Sequence, residues 1–133
     1  MTDSFSTPGL ARMLGRALLR RCPRCGARPL FTRWFTMAER CPGCHFRFER
    51  RAEEGAFLGA YVLNLAVTEG SLAAVLFGFI IVRANADVGG PLWPVFLLGG
   101  LVAVVLPVAF YPLSRTLWVA IDLAARPPGE DEL

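Results

Sequence analysis

The sequence predicts a membrane α-helical protein: a two-span transmembrane hairpin with an N-terminal four-cysteine module and flanking amphipathic helices. Hydrophobic residues make up 54% of the 133 residues, and the mean hydropathy is +0.46. Most of the apolar residues follow Gly55, whereas the four cysteines form two Cys-x-x-Cys pairs ahead of it. A soluble protein of this length could not bury so long an apolar run, so the composition favours an integral membrane protein.

Charge is distributed unevenly along the chain. Residues 1–55 contain eleven of the fourteen basic residues, all arginine, and five acids, so this segment carries a formal charge of +6 and the remainder −3. A basic excess beside the first membrane segment retains that end in the cytoplasm, and it favours anionic headgroups by about 1 kcal/mol per arginine. We therefore expect the lipid bilayer as a partner, and nucleic-acid binding is the less favoured interpretation of these arginines.

Residues 1–21 are predicted to contain an N-terminal basic amphipathic helix. Its apolar residues recur at helical spacing: Leu10, Met13, Leu14, Ala17 and Leu18. Arg12, Arg16 and Arg20 recur every fourth position on the other side. The favoured interpretation places this helix in the headgroup layer, with leucines in the acyl boundary and arginines toward phosphate. The alternative is packing against the four-cysteine module.

Two apolar segments are long enough to span a membrane. Residues 56–82 exceed the roughly 20 residues that cross a hydrocarbon core of about 30 Å. Residues 93–111 form the second predicted span, in which Pro107 is tolerated as a kink. Residues 83–92 supply a charge pair, two glycines and a proline, which predicts a short extracytoplasmic loop. Two spans place both termini on one side, and the arginine count assigns that side to the cytoplasm.

The C-terminal region is predicted to return to the membrane surface. Residues 112–126 read as an interfacial amphipathic helix, and residues 127–133 as a disordered acidic tail. The predicted apolar side of the helix comprises Leu113, Leu117, Ala120, Ile121 and Ala124.

The four cysteines are the candidate metal ligands. Cys22 and Cys25 form one Cys-x-x-Cys pair and Cys41 and Cys44 the other, with fifteen residues between the pairs. Each pair can form a turn whose two sulfurs face one cation, and two turns complete a tetrahedral set for Zn(II). We expect one structural zinc ion in a zinc-ribbon-like module over residues 22–55. Disulfides conflict with a reducing cytoplasm, and a redox motif lacks its strand–helix–strand surroundings.

Three residues beside the ligands are expected to surround the metal without binding it. Arg24 and Arg40 can offset the charge of −2 that Zn²⁺ and four thiolates carry together. His45 directly follows the last cysteine, a position that favours a residue tolerant of positive φ. Between the pairs, several side chains are more apolar than so small a ribbon can hide, and some are expected to contact the bilayer or a partner: Leu30, Phe31, Trp34, Phe35 and Met37.

The stretch CPRCGARPLFTRWFTMAERCPGC, the two spans and the C-terminal YPLSRTLWVAIDL together resemble the bacterial membrane proteins grouped as the domain of unknown function 983 family. The resemblance covers roughly residues 20–125, and members commonly carry glycine where this chain has His45. It implies a zinc-ribbon head on a two-span anchor and brings no established activity. Members are frequently encoded near genes for the assembly of respiratory oxidases, which is a hint about partners.

Glu69 lies at the midpoint of the first predicted span. An ionisable group at that depth costs roughly 2.5 to 3.5 kcal/mol on insertion scales and points to function. Asn64 and Thr68 lie on a polar side of the same helix that Glu69 borders, and the three form a candidate intramembrane polar site. Glu69 is protonated within a homo-oligomer or the hairpin, docks a partner's membrane helix, or carries protons or ions; these three interpretations stay open.

The sequence predicts no catalytic activity, because one histidine and four committed thiols assemble no Ser/His/acid set and no open metal site. The favoured function is that of a non-catalytic adaptor or assembly factor for a larger complex in the bacterial cytoplasmic membrane. Its partner would be another membrane protein or a second copy of the chain. Metal or thiol handling is one alternative, and an oligomeric ion or proton conduit that uses Glu69 is another.

Overall fold

The computed structural model describes residues 8–49, 58–86 and 89–129. This part of the chain contains three helices and two short strands, which are α1 (Leu10–Leu18), β1 (Phe31–Arg33), β2 (Thr36–Met37), α2 (Leu58–Ala86) and α3 (Trp93–Ala125). The chain divides into two compact units. The first consists of Met1–Tyr61 and Pro112–Leu133, and the second of Val62–Tyr111. All four cysteines belong to the first unit.

Helix α1 is shorter than the predicted N-terminal helix, of which residues 1–7 lie outside the described part. It ends in a Schellman motif: the amides of Arg20 and Arg21 donate to the carbonyls of Ala17 and Arg16, each over 2.9 Å. Arg20 takes the left-handed position of this motif, with φ 54°. The chain therefore reverses after Leu19 and leads directly into the first cysteine pair.

The apolar stripe of α1 is divided between the interior and the surface. Met13 and Ala17 are buried, whereas Leu10 and Leu18 are more than half exposed. Thr116 of α3 donates its hydroxyl to the carbonyl of Ala17 over 2.9 Å, so this carbonyl accepts a second hydrogen bond beside the one from the amide of Arg20. One part of the stripe thus packs within the first unit, and the remainder is free to meet another surface.

Strands β1 and β2 form an antiparallel hairpin between the two cysteine pairs. The paired residues are Phe31 with Met37 and Arg33 with Thr36. Leu30 and Met37 point into the interior, and Trp34 and Phe35 stand exposed at the tip. The apolar residues between the pairs therefore separate into a buried base and an exposed tip.

The first unit has one apolar core, and α3 completes it. The buried members from the N-terminal region are Met13, Ala17, Cys22, Leu30, Met37, Cys41, Phe46 and Phe48. Val119, Ala120 and Leu123 of α3 belong to the same cluster. A module of some 30 residues buries little apolar surface by itself, so these three side chains supply a substantial part of its interior.

Helix α2 is 29 residues long, which at 1.5 Å per residue is about 43 Å. It extends past the predicted end of the first span at residue 82, so residues 83–86 are helical instead of part of the loop. Two side chains explain the extension: Asn85 donates to the carbonyl of Ile81 over 2.8 Å, and Arg83 lies 5.1 Å over the ring of Phe79. Arg83 also donates to the carbonyls of Gly90 and Pro91.

Helix α3 runs without interruption through the predicted boundary between residues 111 and 112. The predicted second span and the predicted interfacial helix are therefore one element. A proline removes a single amide donor, and neighbouring groups can satisfy the carbonyls around it. Pro112 therefore removes only the helical hydrogen bond to the carbonyl of residue 108, and α3 continues through it.

The face of α3 that is buried in the first unit differs from the predicted apolar side. Its buried residues are Pro112, Ser114, Thr116, Val119, Ala120 and Leu123. Of the predicted stripe only Ala120 is fully buried, and Ile121 and Ala124 are exposed. Hydropathy alone misplaced the face, because the close approach to α1 selects small side chains and a threonine hydroxyl that reaches the carbonyl of Ala17.

Helices α2 and α3 are both long and apolar enough to cross a membrane. Within the second unit their large apolar side chains stand exposed, among them Phe77, Phe96 and Val104, each with at least 66% of its surface accessible. Asn64 makes a polar contact between the two helix segments of this unit, because its Nδ2 donates to the carbonyl of Pro107 over 3.0 Å.

Candidate metal centre

The two cysteine pairs fold into turns of the same kind, the first knuckle (residues 22–27) and the second knuckle (residues 41–46). In the first, the amide of Gly26 donates to the carbonyl of Cys22 over 2.8 Å; in the second, the amide of His45 donates to that of Cys41 over 3.0 Å. Gly26 and His45 both have positive φ, 83° and 56°. His45 therefore has the backbone conformation expected at its position.

The four sulfur atoms converge on one point. Cys22 Sγ lies 3.9 Å from Cys44 Sγ, and Cys25 Sγ lies 3.5 Å from Cys41 Sγ. All four sulfurs are within 4.8 Å of one another. A tetrahedral metal ion with metal–sulfur bonds of about 2.3 Å would space its ligands about 3.8 Å apart. The cysteines are free of disulfides, so the cluster could hold one metal ion.

Backbone amides point at the sulfurs from within each knuckle. The amide of Ala27 lies 3.5 Å from Cys25 Sγ, and the amide of Gly43 lies 3.4 Å from Cys41 Sγ. Donors aimed at a sulfur stabilise its thiolate form over its thiol form. Both knuckles thus offer partial positive charge to ligands that must be anionic to bind a metal.

The thiols differ in how readily they ionise. Burial raises the pKa of Cys22 above the ordinary 9.0 and raises the pKa of Cys44 to about 11. Burial also acts on Cys41, but hydrogen bonds from the amides of Cys44 and Gly43 outweigh it and hold the pKa of Cys41 below 9.0. A divalent cation would convert all four thiols to thiolates at neutral pH.

Exposure to solvent also differs among the ligands. Cys22 and Cys41 are fully buried, Cys44 is half-buried and Cys25 is exposed. Four sulfurs complete a tetrahedral coordination shell and leave no position for water or substrate. The arrangement is therefore that of a closed centre with one ligand at its surface.

Gly43 allows the two knuckles to meet, and the sequence prediction did not include it. A Cβ at this position would lie 2.7 Å from the Cβ of Ala27 and 3.2 Å from Cys25 Sγ. Real Cβ atoms essentially never approach another carbon so closely. The sequence signal for this role is the Cys-x-Gly-Cys motif of the second pair. The motif does not show which surface approaches Gly43.

Arg16 is a second residue whose part in the centre was missed. The helical pattern directed it toward phosphate, but its Nη1 donates to the carbonyl of Arg24 over 2.7 Å and to that of Pro23 over 3.3 Å. Arg16 therefore holds the first knuckle from α1. Two arginines were predicted to surround the metal. Arg24 supplies the backbone carbonyl that accepts from Arg16. Arg40 is exposed, and its backbone pairs with that of Arg47.

The predicted polar site on α2 separates into two faces. Asn64 contacts Pro107, and Thr68 is buried and donates to the carbonyl of Asn64 over 2.9 Å. Asn64 Oδ1 is buried and has no hydrogen-bond partner among the described residues. Glu69 is exposed, because a position five residues after Asn64 is rotated by about 140° around a helix of 3.6 residues per turn. Asn64 and Thr68 face inward, and Glu69 does not.

These features define a class: a small helical protein that combines a four-cysteine cluster with two helices long and apolar enough to cross a membrane. The chain belongs to the family described as "Protein of unknown function (DUF983)", whose model matches residues 31–122. This confirms the resemblance seen in the sequence. The matched segment contains the second knuckle and begins after the first. Comparisons with curated proteins and with solved structures returned no match.

Proposed function

We propose that this protein is a non-catalytic adaptor or assembly factor for a larger membrane complex. Its first unit is a zinc-ribbon-like head that presents a rigid surface to a partner, and its second unit is a two-span anchor in the bacterial cytoplasmic membrane. Both termini lie in the cytoplasm, in keeping with the arginine excess of residues 1–55.

The observation that carries the proposal is the convergence of four free sulfurs within 4.8 Å of one another. Four thiolates with tetrahedral spacing suit Zn(II). Such a closed site contributes folding energy and gives a substrate no access to the metal. Cys22 and Cys41 are also members of the apolar core, so metal and core would stabilise the same surface.

The membrane assignment is supported by the exposure of the apolar helices. The apolar stretches of α2 and α3 are almost entirely exposed, and a soluble protein rarely leaves contiguous apolar surface of this extent in water. Burial in lipid removes that cost, since each helix satisfies its own backbone hydrogen bonds.

The adaptor function can be tested by crosslinking in the native membrane. The tagged full-length protein is crosslinked briefly, extracted in mild detergent and compared with a Cys22→Ser variant present in the membrane at the same level. We expect a stoichiometric membrane complex with the unchanged protein and its loss with Cys22→Ser, because the head surface depends on the metal. Recovery of the protein only with itself would contradict the adaptor function.

Glu69 supports a contact within the membrane in addition to the head. It is exposed in the middle of α2, between the buried Thr68 and the exposed Gly70, and a carboxyl group that faces lipid at this position is costly. A hydrogen-bonding partner helix, from a second copy or another membrane protein, would remove that cost. Glu69→Gln keeps a hydrogen-bonding group and is expected to retain the complex, whereas Glu69→Leu is expected to lose it. Proton flux in proteoliposomes that is abolished by Glu69→Gln would instead favour a conduit.

Metal or thiol handling is the second candidate function, and the exposure of Cys25 favours it. An exposed ligand is the natural point of attack for a chelator or an oxidant. Zinc release by a mild chelator or by peroxide, on the timescale of minutes, would support this function. Retention of one zinc ion per chain under both treatments would rule it out and favour a structural metal.

A further inference from the structure

An exposed apolar patch on the first unit lies outside the proposed metal centre. It consists of Leu18 and Leu19 at the end of α1 and Trp34 and Phe35 at the tip of the β1–β2 hairpin, which are 46% to 58% exposed. Arg20 joins the two elements, because its guanidinium carbon lies 4.5 Å over the centre of the Trp34 ring. We call these five residues the Trp34 patch.

The backbone on both sides fixes the patch in place. Arg20 has φ 54°, a left-handed conformation that is strained for a residue other than glycine. Glycine is the common residue at this position of a Schellman motif. The hairpin holds Leu30 and Met37 inward, which leaves its tip pointing away from the core. The chain thus keeps an arginine in a strained position where its side chain covers a tryptophan.

The surroundings of the patch are strongly basic. Residues 8–49 contain nine arginines and two glutamates, a formal charge of +7. An interface between water and lipid typically binds tryptophan at headgroup level, with leucine and phenylalanine below it and arginine toward the phosphates. Arginine side chains near an anionic lipid surface add electrostatic attraction to this binding.

From this combination we propose that the Trp34 patch inserts into the interface of a bilayer that contains anionic phospholipid. Leu18, Leu19 and Phe35 enter the acyl boundary, Trp34 lies at headgroup depth, and Arg20 binds lipid phosphate while it remains stacked on the ring. Nucleic acid fits less well, because the guanidinium already covers one face of the ring on which a base would stack. This surface goes beyond the adaptor function, since it needs no protein partner.

The test uses tryptophan fluorescence of the full-length, zinc-loaded protein in nanodiscs. Trp93→Phe combined with Trp118→Phe leaves Trp34 as the single tryptophan, and Trp34→Phe combined with Trp118→Phe leaves Trp93. Nanodiscs are made with and without phosphatidylglycerol, and with acyl chains brominated either near the headgroup or near the bilayer centre. Bromine quenches a tryptophan only on contact, so the quenching reports the depth of each ring.

We expect Trp34 to be quenched by shallow bromine more than by deep bromine, and the quenching to increase with phosphatidylglycerol. Arg20→Gln should shift the ratio of docked to undocked heads about fivefold toward undocked, the equivalent of about 1 kcal/mol. Unquenched, solvent-accessible Trp34 in nanodiscs where Trp93 is quenched would overturn the proposal and leave the membrane anchor intact.

A second comparison keeps the test independent of the double substitutions. The unchanged protein and a Trp34→Phe variant are measured in the same brominated and unbrominated nanodiscs, and the difference between their spectra gives the signal of Trp34 alone. A difference spectrum that disappears in brominated lipid supports insertion. One that persists unchanged contradicts it.

Discussion

The two knuckles share a fold but are built and supported differently. Both close with an amide that donates four residues back, and both place a residue of positive φ after the second cysteine. The first uses glycine for that conformation, whereas the second uses His45 and has its glycine two positions earlier, at Gly43. In the first knuckle, glycine thus allows a positive φ. In the second knuckle, glycine allows the first knuckle to approach closely.

The two knuckles are also held in place by different contacts. The first knuckle is held from outside, by the side chain of Arg16 in α1. The second is held by its own flanks, since Phe48 donates to the carbonyl of Glu39 over 3.0 Å and Arg40 bridges to Arg47. The second knuckle is therefore a local hairpin, and the first depends on tertiary structure. The family model covers the second and not the first.

The largest effect should come from removing one buried ligand from either knuckle. Cys22→Ser and Cys41→Ser each leave three sulfurs, and a structural zinc site contributes on the order of 10 kcal/mol to the folding of a small domain. We expect the zinc content, measured by mass spectrometry of the purified protein, to fall from one per chain to near zero in both variants. Full retention of zinc in either variant would show that the two knuckles do not share one metal.

Acidity should act on the loaded and the metal-free head with opposite signs. Metal-bound thiolates must be protonated for release, so zinc affinity falls as pH falls, and more steeply than about tenfold per pH unit because several sulfurs are involved. In the metal-free head the pKa of Cys44 is raised to about 11 from 9.0 and that of Cys22 is raised further.

For such groups the folded state binds the proton more tightly than the unfolded state. Their contribution to the free energy of unfolding is complete below pH 9 and decreases as the pH rises above 9, and the contribution of Cys44 is lost as the pH passes about 11. Urea unfolding with chelator present, from pH 8 to pH 11, measures this. Cys41, whose pKa is lowered, acts in the opposite direction, so a metal-free head that gains stability with rising pH would mean that Cys41 dominates.

Gly43→Ala should destabilise the head more than Arg24→Ala, the substitution at the equivalent position of the first knuckle. The added methyl group collides with the Cβ of Ala27, and overpacking of this kind costs about 1 to 3 kcal/mol. Competition with a chromogenic chelator measures the effect as weaker zinc binding. Combining Gly43→Ala with Ala27→Gly removes the collision and should restore binding; failure of this rescue would assign Gly43 another role.

The smallest effects should have opposite signs in the two knuckles. His45→Gly relieves a left-handed conformation and should stabilise the head by about 1 kcal/mol, whereas Gly26→Ala introduces the same conformation and should cost about 1 kcal/mol. Space is not the cause at Gly26, since its nearest neighbour, Arg16 Nε, would lie 3.6 Å from an added Cβ. Chemical denaturation of both variants checks the signs.

Sequence reasoning succeeded where chemistry is local. Cysteine spacing predicted that the four sulfurs cluster, the position after Cys44 indicated positive φ, and run length identified the two apolar helices. It missed Arg16 and Gly43, because their roles depend on which surface approaches them. It also ended the second span at Tyr111, where α3 continues, and chose the wrong face of the segment beyond it. In that segment a hydroxyl and small side chains make the contact, and neither carries a strong hydropathy signal.

Because α3 contributes side chains to the core of the first unit, this core can be completed only late in the synthesis of the chain. Cys22 and Cys41 leave the ribosome early, but Val119, Ala120 and Leu123, which pack in the same core, follow some 80 residues after Cys41. At about 5 to 20 residues per second, that interval lasts roughly 4 to 16 s. During this interval the new cysteines lack the α3 side chains that complete the core around Cys22 and Cys41 in the finished protein. The core of the first unit can therefore form completely only after the last turns of α3 have been synthesised.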